Sequence, residues 1–387
     1  FIALPSTARP RLVASAGFPA ALAAAVRRFS QSTGILGRSA RLALAAATRT
    51  GAVEALLPDR IAVISARRPD HAPVSEADCL VARLAEIFGT DVVVALAVGA
   101  MRANRKPVLQ VLTPGGRTLG FAKLALSPLA HRLVRAEAAN LQSLAGQRFR
   151  HLELPEVVHH GTWRSHELLV MSALDTPLRR RRGRRSLPIA AMAELAAVAG
   201  TATRAVGETR WFAELRSATT DNREASASRF NDLLEHLAAQ HGERPIRFGS
   251  WHGDWGPWNM AWADDRVRLW DWERFARGVP YGLDALHYSL PTSPESSSVA
   301  RLRRAAAAAL APFETAADEA ALVLTLYVTA LCARFLPDSL TEHGEQLRRR
   351  VVKLLNLLEV LLADDGAVPA KHRPTGVRPR AAGGTWP

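Results

Sequence analysis

The octapeptide His252-Gly253-Asp254-Trp255-Gly256-Pro257-Trp258-Asn259, followed twelve residues later by Asp271-Trp272-Glu273, constrains this chain more than any other feature. An Asp and an Asn five positions apart can occupy opposite ends of one short loop. The Asp can take a proton from an attacking hydroxyl while the Asn oxygen ligates a metal. Residues 260–262 and 267–270 read as short strands around the turn Ala263-Asp264-Asp265-Arg266, a hairpin that returns Asp271 beside Asn259 as a second ligand. Mg²⁺ takes hard oxygen ligands and keeps only one or two from a protein, so this pair suffices. The plainer alternative is an ordinary glycine turn with Asp254 as a helix cap.

Upstream, residues 92–98 and 107–113 are apolar and β-branched, Pro114-Gly115-Gly116-Arg117 is a turn, and residues 119–126 complete three antiparallel strands. Lys123 lies in the third strand. A helix over 129–145 follows, carrying Glu137, the only acid between Asp91 and Glu153. Residues 154–159 and 167–172 read as two more strands, and 173–177 as a hinge. Beyond residue 189 the pattern is mostly helical. Segments 189–206 and 226–240 precede a short stretch at 246–248 that leads into the octapeptide, and helices over 299–310, 319–336 and 345–363 follow, with Pro312 and Pro337 as breaks. The class is α+β.

These motifs resemble those of the aminoglycoside phosphotransferase and choline kinase group, protein-kinase-like small-molecule kinases whose catalytic loop reads HGDxxxxN and whose metal loop reads DxD or DxE. The resemblance implies a bilobal protein-kinase-like fold, with a small antiparallel sheet lobe at 91–176 and a larger, mostly helical lobe at 177–365. It implies ATP and Mg²⁺ as cofactors and transfer of the γ-phosphate to a hydroxyl of a sugar, amino alcohol or aminoglycoside-like acceptor. By the same resemblance Asp254 is the catalytic base, Asn259 and Asp271 hold the metal, His252 supports the loop, and Asp284 in Tyr281-Gly282-Leu283-Asp284 braces it. Lys123 would hold the nucleotide phosphates, with Glu137 aiming its ammonium, and the hinge backbone would hold adenine. One departure is the turn from Gly99 to Lys106, with a single Gly where protein kinases carry G-x-G-x-x-G. The alternative reading of function is an inactive kinase-like nucleotide-binding module that docks to an anionic partner.

Six of the nine tryptophans (Trp251, Trp255, Trp258, Trp262, Trp270 and Trp272) surround the two motifs. Indoles in such loops mostly supply packing surface. A sharper expectation makes Trp255 and Trp258 the wall against which an acceptor stacks; Glu273 is expected either to touch metal or substrate or to position Arg274.

The formal net charge of +14 has the look of a nucleic-acid binder, but it resides in appendages: residues 1–90, the arginine run at 179–185 and the tail from 366. The catalytic body is near neutral, and no aromatic platform accompanies the arginines, so no nucleic acid is expected. Aminoglycosides are polycations that want an acidic cleft, so a neutral sugar, an amino alcohol or a phosphorylated acceptor fits this body at least as well. The arginine run is expected to be a solvated loop, or a weak contact for an anionic surface. Cys79 and Cys332 form no framework, which points to a reducing compartment, the cytoplasm. The longest apolar run, 320–333, is too short for a membrane span and reads as a buried helix. Residues 1–90 read as a helical N-terminal extension with segments at 19–30, 38–57 and 75–88, and 366–387 as a disordered basic tail. The chain opens on Phe1 and its first Met is Met101, which leaves open whether the true start is present.

Overall fold

The computed structural model describes residues 1–4, 6–29, 46–50, 59–62, 79–98, 106–174, 187–217, 224–339 and 344–366. The smaller lobe is built on a seven-stranded antiparallel sheet of order β1-β2-β3-β4-β5-β8-β7. Its strands are β1 (Ile2–Leu4), β2 (Leu12–Ala14), β3 (Val93–Ala97), β4 (Val108–Leu112), β5 (Thr118–Leu124), β7 (Val157–Trp163) and β8 (His166–Ser172); a short β6 (Leu152–Glu153) belongs to a separate sheet. The near-continuous apolar runs in β3, β4 and β5 exist because both faces are covered. Val93, Ala95 and Leu112 pack under helix α1 (Pro19–Phe29), while Val94, Val111 and Ala122 pack with Leu84 of helix α2 (Leu80–Phe88). Lys123 of β5 pairs with Val108 on one side and Leu169 on the other, so it sits inside the sheet rather than at an edge.

Helix α3 (Pro128–Leu144) crosses behind that sheet. Its start is set by sequence: the Ser127 hydroxyl accepts the Ala130 N–H at 3.2 Å and Pro128 occupies the first turn, where its missing N–H costs nothing. Glu137 is buried on the face that also carries Leu133, Val134, Ala138 and Leu141.

The larger lobe contains α4 (Ile189–Ala196), β9 (Ala202–Ala205), α5 (Arg210–Ser217), α6 (Ala225–His241), β10 (Pro245–Trp251), the hairpin β11 (Met260–Ala263) and β12 (Arg266–Leu269), and β13 (Ala276–Pro280). It closes with α7 (Leu283–Ser289), α8 (Val299–Leu310), α9 (Ala317–Ser339) and α10 (Glu345–Gly366). The hairpin pairs Met260 with Leu269, which brings the two motifs to one end of it. Among the described residues α9 is the one helix long and apolar enough to cross a bilayer, and most of it is buried inside the lobe, as a core helix should be.

Four expectations change. The N-terminal extension, read as helical, also donates β1 and β2 to the smaller lobe's sheet, extending it beyond the strands read from 91 onward; three-residue strands leave too short a pattern to read. The Ala-rich segment 189–206 is not one helix: Gly200 turns the chain at φ 80°, and β9 pairs with β10, so sheet pairing overrides helix propensity. The strand expected at 154–159 begins only at Val157, beyond Pro155, and runs on to Trp163 as β7. Pro337 lies inside the last turn of α9, which runs on to Ser339 rather than breaking at the proline. The turn residues 99–105, the arginine run at 179–185, most of 38–57, the hinge beyond Leu174 and the tail after 366 lie outside the described residues.

Candidate active site

Strand β10 ends at Trp251 and the chain turns immediately at Gly253, whose φ of 84° and whose approach to the Arg274 carbonyl oxygen exclude a side chain. Asp284, in the first turn of α7, receives the backbone N–H groups of His252 at 2.6 Å and Gly253 at 3.0 Å. His252 is fully buried, edge-on to Trp272 with ring centroids 4.8 Å apart, and its Nδ1 accepts the Asp254 N–H at 3.2 Å. Burial lowers its pKa to about 4, so the ring is neutral and acts as scaffold.

That scaffold presents the Asp254 carboxylate. Oδ2 accepts from Asn259 Nδ2 at 2.8 Å, and the same amide group donates to the Asp254 carbonyl at 3.0 Å. Oδ1 lies 3.1 Å from His287 Nε2, and His287 Nδ1 lies 3.1 Å from the Tyr327 hydroxyl. Burial raises Tyr327 and lowers His287 from their usual values, so the phenol keeps its proton and the imidazole stays neutral. The tautomer consistent with this network has Tyr327 donating to Nδ1 and Nε2–H donating to Asp254. Burial alone would raise Asp254, but the His287 hydrogen bond and neighbouring positive charge outweigh it and hold the carboxyl below its ordinary value. The group is ionised and oriented, as a proton acceptor must be.

On the other side of the hairpin, Asp271 adopts φ 72°, which swings its side chain out of β12 toward β5. Lys123 Nζ donates to Glu137 Oε1 at 2.6 Å and Oε2 at 2.5 Å, and to Asp271 Oδ1 at 2.7 Å. Glu137 also accepts the Trp272 N–H at 3.2 Å, and Asn140 Nδ2 donates to the Trp272 carbonyl at 2.8 Å, so α3 clamps the metal motif from behind. A second lysine, Lys106, pairs with Glu273 and lies 3.7 Å from Asp271. Burial would raise Asp271, yet the two ammonium groups hold it well below the usual carboxylate range, while Lys123, despite its own desolvation, is held above its ordinary value by Asp271 and Glu137.

Glu137, Asp271 and Glu273 each offer an oxygen within 4.8 Å of the others, a hard-donor set suited to a divalent cation. Asn259 gives its amide nitrogen to Asp254, which leaves its oxygen as a donor, and the Trp270 N–H bond to the Asn259 carbonyl at 3.0 Å ties this loop to the Asp271 segment. The donors fit Mg²⁺.

The structure thus brings Lys123, Glu137, Asp271 and Glu273 into one cluster, and His252, Asp254, Asn259 and Asp284 into an adjoining one. It separates the two tryptophans expected to form a wall. Trp255 is 0% exposed and donates its indole N–H to Met260 Sδ at 3.4 Å, so it is a core residue; a loop this short must bury one face. Trp258 is 52% exposed, with its ring against His287 at 6.3 Å. His287 and Tyr327 were missed. His287 follows Asp284 by three positions on one helix and therefore shares its face, which was the available signal. Tyr327 contributes from a distant core helix, and no local pattern announces it. Lys106 stood out only as one of four lysines in the chain.

Residues 106–281 match the Phosphotransferase enzyme family. No curated protein matches the chain. Among solved structures, it is similar to a thermostable mutant of aminoglycoside phosphotransferase APH(4)-Ia with ADP and hygromycin B, at 15% identity over 74% of this chain and 99% of that one, TM-score 0.48. It is also similar to the spectinomycin phosphotransferase APH(9)-Ia with ADP and spectinomycin, at 10% identity over 74% and 97%, TM-score 0.41. The amicoumacin kinase hAmiN with AMP-PNP and Ca²⁺ is similar at 10% identity over 68% and 88%, TM-score 0.42.

Proposed function

We propose, for a chain whose residues 106–281 match the Phosphotransferase enzyme family, that its hydroxyl-directed phosphotransfer uses ATP and Mg²⁺ on a small-molecule acceptor. Asp254 is the general base. Its two carboxylate oxygens are held by Asn259 and His287, so it meets an acceptor hydroxyl without reorganising. Lys123, aimed by Glu137, takes the nucleotide phosphates; Asn259 and Asp271 would hold the metal, which when bound neutralises charge on the phosphate oxygens. Asp284 fixes the backbone on which Asp254 stands, and Trp258 offers an exposed aromatic face for the acceptor. Catalysis is then positioning and charge neutralisation rather than covalent chemistry.

The observation that carries this reading is the doubly anchored Asp254 within electrostatic reach of Asp271, which shares Lys123 with Glu137. The test is a nucleotide-binding titration with and without Mg²⁺, paired with a γ-phosphate transfer screen over sugars, amino alcohols, hydroxy acids and aminoglycosides. Mg²⁺-enhanced ATP binding with transfer to at least one acceptor is expected. Binding with no transfer to any member would instead favour an inactive nucleotide-binding module.

A further inference from the structure

Helix α9 presents Tyr327 to the site, since its hydroxyl meets His287. Arg334 follows seven positions later, two turns along a helix, and so points from the same face. Its guanidinium lies 5.2 Å over the Trp251 ring, at the entry to the catalytic loop, within electrostatic reach of Asp254, Asp284 and Tyr327. Among the described residues it forms no ion pair and no hydrogen bond. The acids beside it are already engaged: Asp284 by two backbone N–H groups, Asp254 by His287 and Asn259.

Arg334 is partly buried, and a guanidinium partly withdrawn from water gains most from an anion that faces it. Burial, the largest influence, lowers Arg334 only to about 10, so it remains a cation at neutral pH. The neighbouring arginine, Arg274, has Asp338 at 3.6 Å and adds repulsion to Arg334 rather than relief. The same two charges repel an acceptor rich in ammonium groups.

We propose that Arg334 anchors a carboxylate or phosphate on the acceptor, so that the substrate is an acidic hydroxy compound held with its anion on Arg334 and its hydroxyl at Asp254. The proposal rests on the phosphotransfer reading and specifies its substrate class. A planar guanidinium suits both anions, because its fork matches their paired oxygens. Trp258, exposed beside His287, offers an aromatic face at the Asp254 end.

The test is transfer from ATP to matched acceptors differing only in charge: glucose, gluconate, glucose 6-phosphate and glucosamine, and the series glycerol, glycerate, glycerol 3-phosphate and serinol. In at least one series kcat/KM for an anionic member should exceed that of its neutral and cationic counterparts at least tenfold. Arg334→Met should shrink that ratio at least tenfold, and Arg334→Lys, which keeps the charge but loses the fork, several-fold. The carboxylate and phosphate arms show which anion is read. A wild-type preference for the neutral or cationic member, or an undiminished ratio in Arg334→Met, overturns the proposal. Loss of rate on all members alike would assign Arg334 to the support of Asp254 and also overturns it. Should no member be phosphorylated, the phosphotransfer reading fails on that panel, and thermal shifts under saturating AMP-PNP and Mg²⁺ decide this one. Stabilisation by the anions in wild type but not in Arg334→Met or Arg334→Lys sustains the proposal, and its absence in wild type refutes it.

Discussion

Around Lys123 every charge has a protein partner, with Glu137 and Asp271 on the lysine and Glu273 on Lys106, whereas around Asp254 the contacts are hydrogen bonds from neutral groups and a cation, Arg334, stands without an ion-pair partner among the described residues. The first region is internally paired: two lysines stand among three carboxylates, a net of one negative charge with every group facing an opposite one, so it can exchange partners with a metal and phosphates. In the second, Arg334 is left to meet whatever enters it. This difference teaches which half of the site is self-sufficient and which half is shaped for a ligand.

The sharpest way to break the comparison is to unpair the first region. Lys123→Met strands Glu137, which is 0% exposed, and should cost about 3–5 kcal/mol in denaturant unfolding. Lys123→Met with Glu137→Gln should recover part of that loss, whereas no recovery would mean the pair is not what the lysine stabilises. The two tryptophans extend the contrast from charge to packing. Trp255→Ala should cost about 3–5 kcal/mol of stability. Trp258→Ala should stay within about 0.5 kcal/mol and raise the acceptor KM instead, and equal destabilisation by both would remove the distinction between core and wall.

A smaller effect probes the turn on which Asp254 stands. Gly253→Ala forces a side chain into a positive-φ position against the Arg274 carbonyl and should cost about 1–3 kcal/mol, with transfer rate falling while nucleotide affinity holds. The smallest is a pH effect. Burial holds the His252 pKa at about 4 in the fold against an ordinary 6.5, so the unfolded chain binds its proton first. Its contribution to stability is therefore complete above 6.5 and is lost as pH falls toward 4. Chemical denaturation across that range should show this loss in wild type and lack it in His252→Gln; parallel curves would contradict a buried neutral ring.

The same contrast explains what could be read in advance. The residues of the paired region lie on regular elements with strong local patterns: Lys123 in a β-branched meander, Glu137 alone among acids on an amphipathic helix, and Asp271 after a hairpin. Their order along the chain carries the information. The Asp254 region is completed by His287, Tyr327 and Arg334, which come from helices whose sequence signal is that of a core. Tyr327 and Arg334 share α9 with a run of apolar residues, and nothing local marks them, because their meaning arises only when α9 packs behind the catalytic loop. The N-terminal strands were hidden for a different reason. Ile2–Leu4 and Leu12–Ala14 are each three residues long and become strands by pairing with one another and with β3.

In the proposed reaction Asp254 accepts the proton of a hydroxyl to which a phosphate is moving, while the Lys123 region holds the nucleotide independently. Single-turnover transfer by wild type and Asp254→Asn, with ATP affinity measured on the same samples, tests it most directly. The account predicts a loss of about 10²–10⁴-fold in the transfer step with ATP affinity unchanged. An Asp254→Asn variant that transfers phosphate at the wild-type rate, with ATP bound as tightly, would contradict it.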